Sequence, residues 1–182
     1  MSRLVGLIKG FPGHPSHPPL TDVSIGAYTV ATAMFVLGAL GIQRAPMAHG
    51  ALLALSGGLI VALPTVVTGL IDWSGIQKGT PPRTLATWHL FVMFTATVVF
   101  AATWLLQRPG YNHGTIKTGA WIACIAGEGL LAIGGYLGGT VVFAYGQRVT
   151  DPRDRPVTVK DALTPKLGTD DYAPIDASKL RR

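Results

Sequence analysis

The sequence predicts an all-α integral membrane protein, a four-helix bundle with polar extensions at both ends. Three observations carry this reading: uncharged apolar runs of membrane-crossing length, charge gathered into loops and ends, and Gly/Pro punctuation between the runs. Hydrophobic residues make up 48% of 182 positions, and their placement is what decides. Between Val23 and Ile71 the one formal charge is Arg44, between Thr84 and Leu106 there is none, and between Thr118 and Gly146 there is Glu128. Runs of about 20 apolar residues match the thickness of a hydrocarbon core. A water-facing helix would need a polar stripe, and these segments lack one.

Residues 1–22 read as a Pro- and His-rich lead-in. Pro15 and Pro18 argue against helix there, and Thr21 and Asp22 offer caps for helix one. Helix one is expected over residues 23–42. Helix two, over 49–71, contains Pro64, which frees the carbonyl of Ile60 and predicts a kink. Gly75, Gly79, Pro81 and Pro82 mark a stop. Helix three then spans 84–106, Pro109 and Gly110 follow it, and helix four spans 116–146. Gly134 with Gly138, and Gly135 with Gly139, are spacings that let helix backbones approach closely. Residues 147–182 form a polar tail with eight basic and six acidic residues, too polar to fold alone. No internal repeat is visible.

Four crossings place both ends on one side. That side carries twelve basic residues, among them Arg3, Lys9, Lys78 and Arg83, against Arg44, Arg108 and Lys117 opposite. The positive-inside rule therefore puts both termini in the cytoplasm. Trp73 and Trp88 are expected near the inner interface, and Trp104, Tyr111 and Trp121 near the outer one. The Val5–Ile8 patch is too short for a signal-peptide core, so helix one is expected to direct insertion.

These features also exclude functions. Cys124 is the single cysteine, which rules out an intrachain disulfide and a cluster held by this chain's thiolates; it reads as a packing residue. The net charge of +6 follows membrane topology and suits anionic headgroups rather than nucleic acid. There is no phosphate-binding glycine loop and no nucleophile–base pair.

Depth in the bilayer singles out the residues with chemical potential. His14 and His17 precede helix one, Asp72 ends helix two, and His89 lies about 8 Å into helix three at 1.5 Å per residue. All four converge on the cytoplasmic end, whereas His49 and His113 lie at the other. Such a group suits a haem, metal or proton site, or simply loop-to-helix hydrogen bonds. His14 and His17 would stand about 9 Å apart in extended geometry, so one of them paired with His89 is the expected axial arrangement for a b-type haem. A zinc site would need three or four of these ligands. Glu128 falls near the midplane, where an ionisable group is a functional candidate. The alternative is a neutral carboxylic acid bonded to a neighbouring helix through Thr95 or Thr97.

The motif Gly13-His14-Pro15-Ser16-His17-Pro18-Pro19-Leu20-Thr21-Asp22 resembles the opening signature of a bacterial four-helix membrane family designated domain of unknown function 2231. Thr68-Gly69-Leu70-Ile71-Asp72-Trp73, His89, and Gly134-Gly135-Tyr136-Leu137-Gly138-Gly139 also fit, so the resemblance covers residues 12 to about 149. Some relatives are fused to Rieske iron–sulfur or cytochrome modules, which implies a redox setting in the bacterial inner membrane. Met93 stands where relatives often have Asn. A polar tail stands where a Rieske domain would follow, so an iron–sulfur or cytochrome partner is expected as a separate chain.

The leading expectation is a membrane subunit of an electron-transfer or respiratory complex, non-catalytic by itself. It would bind b-type haem, or contact quinone, through His14, His17 and His89. A scaffold whose tail docks on a partner, and a proton or ion carrier using Glu128 and His89, are the alternatives.

Overall fold

The computed structural model describes residues 8–11 and 14–149; residues 1–7, 12–13 and the tail from 150 lie outside the described residues. Four helices dominate: α1 His17–Ala39, α2 Arg44–Gly75, α3 Pro81–Tyr111 and α4 Thr118–Phe143. Each is long and apolar enough to cross a membrane. Their outer faces expose Leu53, Leu63, Phe94, Tyr136 and Phe143, side chains that lipid solvates and water does not. The chain is an integral membrane protein with four spans.

The helix starts depart from the expected ones, and proline chemistry explains why. Helix α1 opens at His17 rather than at Val23, with Pro18 and Pro19 in its first turn. An N–H has no partner in a first turn, so proline loses nothing there. Thr21 is consequently no cap: its hydroxyl donates to the His17 carbonyl at 2.9 Å, one turn inside the helix. Pro81 and Pro82 likewise open α3 instead of ending a loop. The lead-in also holds a two-residue antiparallel β ladder, β1 Gly10–Phe11 against β2 His14–Pro15. Within β1, Gly10 adopts φ +85°, where an added Cβ would meet the His14 carbonyl oxygen at 2.5 Å.

The bundle is two hairpins. Helix α1 packs extensively on α2 and α3 on α4, while the α2–α3 and α1–α4 contacts are sparser. Tyr28 and Phe100 join the hairpins at the centre, stacked with centroids 4.1 Å apart and planes 14° apart. Each ring rests on a glycine of its own hairpin. A Cβ at Gly58 would lie 2.6 Å from the Tyr28 ring, and one at Gly127 would lie 3.0 Å from Phe100. Within lipid such contacts contribute dispersion through close fit, because apolar burial alone gives no net drive.

One end of the bundle is closed by polar side chains. Gln107, fully buried, donates to the Thr115 carbonyl at 2.7 Å and accepts from the Lys117 N–H at 3.0 Å. His49 donates to the Tyr111 carbonyl at 2.7 Å, and the Trp104 indole donates to Ser56 at 2.9 Å. At the opposite end the hairpins part.

Candidate functional site

A cavity of about 530 Å³ opens between the hairpins at the end where His17, Asp72 and His89 lie. Its walls are mostly apolar, with Ile25, Val66, Met93 and Leu131 among them, and all four helices contribute. Exposed Leu70, Phe91 and Phe94 border it, so its side reaches the lipid-facing surface.

His17 and His89 stand on this cavity from different hairpins, each half-buried. The His17 Nδ1 lies 3.1 Å from the Thr65 carbonyl and 3.2 Å from the Thr68 hydroxyl. The His89 Nδ1 lies 2.8 Å from the Gly134 carbonyl. A carbonyl can only accept, so in both rings Nδ1 carries the hydrogen and Nε2 keeps its lone pair.

Local sequence explains how a ring reaches a carbonyl in the middle of a helix. A helical side chain leans toward the N-terminus and covers the preceding turn. Four residues after Thr65 stands Gly69, and four after Gly134 stands Gly138. A Cβ at Gly69 would lie 2.8 Å from the His17 Cε1, and one at Gly138 would lie 2.8 Å from the His89 Cε1. The missing side chains are what admit the imidazoles. Gly134 serves Met93 in the same way, with room for its thioether. Gly135 and Gly139 instead face the cavity, with no neighbour crowding Gly135. The two glycine spacings of α4 thus have different tasks, packing on α3 and widening the cavity.

Asp72 completes this end through an ion pair with Arg148, Nε to Oδ1 3.5 Å, both side chains largely buried. Arg148 also donates to the Lys9 carbonyl at 2.6 Å. It therefore ties α2 to the lead-in and to the segment after α4. Arg83 secures the neighbouring turn: it lies 3.6 Å over the Trp73 ring and donates to the carbonyls of Trp73 and Ile76.

The family profile described as a predicted membrane protein, DUF2231, matches residues 13–151. This chain belongs to the DUF2231 family. The match takes in every helix and both cavity histidines. No curated protein and no solved structure matches the chain.

Within this DUF2231 chain the other expected residues fall elsewhere. His14 sits on β2 and is exposed, away from the cavity lining. Glu128 accepts from Thr29 at 2.9 Å and Thr32 at 3.2 Å, both on α1. The expected partners on α3 are otherwise engaged: Thr95 and Thr97 donate to the carbonyls of Phe91 and Met93. Helix adjacency decides this, since α4 presents Glu128 toward α1. The carboxyl does not line the cavity that holds His89. Cys124 is buried in the core beside Thr32. Among the described residues, no three His, Cys, Asp or Glu side chains gather to hold a metal ion by themselves.

Sequence reading missed Thr65, Gly69, Tyr28 and Arg148. The four-residue spacing of Thr65 to Gly69, matching Gly134 to Gly138, was the available signal for the first two. Tyr28 carries a buried hydroxyl on the cavity, near Thr97 but outside hydrogen-bond geometry.

Proposed function

We propose that this protein is an electron-transfer subunit of a membrane complex and holds a b-type haem between the imidazoles of His17 and His89. The observation that carries the reading is the matched pair of Nδ1–H···O=C bonds, which leave the Nε2 lone pair of each ring for a ligand on one cavity, the His17 Nε2 having only the Thr21 hydroxyl at 3.5 Å to give up. Ligating histidines are regularly held in this way, and the carbonyl acceptor raises ligand basicity. The residues fit the group. A macrocycle fills four positions on its iron, so two protein nitrogens suffice where zinc would need three or four.

When bound, a haem supplies one-electron chemistry. The chain's own residues supply the rest. His17 and His89 hold and orient, Gly69 and Gly138 make room for the rings, and the apolar walls keep water away. The excess of basic residues in the loops and lead-in at this end supports reading it as the cytoplasmic face of a bacterial inner membrane. An iron–sulfur or cytochrome subunit meeting the protein there would be its redox partner.

The test is a reduced-minus-oxidised spectrum of protein purified gently in detergent. A b-type signal lost in both His17→Ala and His89→Ala, but kept in His14→Ala, is the expected result. Absence of any haem signal would overturn the reading. The lipid-side opening beside Phe91 and Phe94 favours a second reading, a quinone contact at the same histidines. A colourless protein that binds a quinone analogue, and loses it in His89→Ala, would establish that one instead.

A further inference from the structure

We infer that the bundle is a duplicated helical hairpin and that its cavity is one site built on the pseudo-two-fold axis, with His17 and His89 as equivalent residues addressing one occupant from opposite sides.

The two hairpins coincide in register. Shifting α1 by 72 positions onto α3 brings His17 to His89, Ser24 to Ala96, Tyr28 to Phe100, Phe35 to Gln107 and Gly38 to Gly110. Apart from the half-buried histidines, every one of these pairs is buried on both sides. Shifting α2 by 69 onto α4 brings Ala51 to Ala120, Leu55 to Cys124, Gly58 to Gly127 and Ala62 to Leu131, again buried on buried. Helical periodicity could align one pair of buried faces by coincidence. It does not explain why the same two shifts also reproduce contacts between helices. Tyr28 on Gly58 becomes Phe100 on Gly127. His17 on Gly69 becomes His89 on Gly138. Met34 on Gly50 becomes Leu106 on Gly119. The hydrogen bond from His17 to the Thr65 carbonyl becomes that from His89 to the Gly134 carbonyl.

The axis can be located from two observations. Equivalent residues that touch each other must straddle it, and Tyr28 stacks on Phe100. The cavity lining also comes in equivalent pairs, including Thr21 with Met93, Ile25 with Thr97, and Leu70 with Gly139. The axis therefore runs through the cavity. Both hairpins start at the same end of the bundle, which makes this a parallel repeat with its axis along the membrane normal. The occupant such a site selects is one that offers two equivalent faces to two imidazole nitrogens. A haem is one example, and in naming it this inference rests on the reading above; the equivalence of the histidines rests on register and the repeated contacts.

Nitrogen NMR of the full chain in lipid nanodiscs, with labelled histidine and no haem added, tests the inference. Expected are the Nδ1–H tautomer for both His17 and His89, a shift of the His17 signals alone in Gly69→Ala, and a shift of the His89 signals alone in Gly138→Ala. Opposite tautomers, or a glycine substitution that leaves its own histidine unmoved, would overturn it. If the glycine variants do not fold, the tautomers of the unaltered chain decide. A preparation that never takes up haem but meets these expectations sinks the haem reading and leaves the duplicated site standing.

Discussion

The first hairpin carries Tyr28, Pro64 and Asp72 where the second carries Phe100, Ile133 and Val141. The shared elements are the histidine, the glycine that admits it and the central aromatic ring. The differing ones concentrate polarity on one wall. His17 has two acceptors at Nδ1, the Thr65 carbonyl and the Thr68 hydroxyl, and Asp72 stands at the same end. His89 has one acceptor, and Met93 and Leu131 of its own hairpin add apolar side chains to the lining. The difference separates what the geometry of an imidazole on a helix requires from what each half adds around it.

The comparison breaks most severely where the shared geometry is destroyed. In Gly138→Val even the Cβ would collide with the His89 ring, so any ligand signal should fall more than tenfold, by absorbance. Overpacking should cost about 1–3 kcal/mol as well. Gly69→Val should act on His17 in the same way, and an innocuous Gly69→Val would show that the halves differ in kind. Next comes the link that one half alone possesses. Arg148→Ala removes the ion pair between Arg148 and Asp72, and thermal unfolding in detergent should show a loss of about 2 kcal/mol. Val141→Ala, at the matching place in the second hairpin, should cost about 1 kcal/mol.

The central rings sharpen the comparison. Gly58→Ala approaches Tyr28 more closely than Gly127→Ala approaches Phe100, 2.6 against 3.0 Å, so the first should cost about 2 kcal/mol and the second about 1. The smallest effect is expected at Tyr28→Phe, which makes the halves alike. Its hydroxyl meets no hydrogen-bond geometry, so stability should change by less than about 0.5 kcal/mol. A larger loss would give that hydroxyl a partner through ligand or water.

The four spans were legible because each is nearly free of charge, and no tertiary arrangement is needed to make such a run prefer lipid. Their beginnings were not. Pro18 and Pro19 carry no sign of whether they precede a helix or open one, and the β ladder at His14–Pro15 together with the His17 contacts on α2 decides it. The site was half legible. His17 and His89 stand out as costly residues near a membrane face, but their acceptors are backbone carbonyls, which every residue has and no sequence marks.

The sequence by itself determined a membrane protein of four helices, the end of the bundle at which His17 and His89 meet, and its family. Tertiary structure alone decided that α1 pairs with α2 and α3 with α4, and that the hairpins part at the histidine end to leave a cavity. It also sent Glu128 to Thr29 and Thr32 rather than to α3. Insertion depends on composition, which is summed along the chain. Pairing, hydrogen-bond partners and empty space depend on which faces of different helices meet, and that is settled by where glycines let a ring come close.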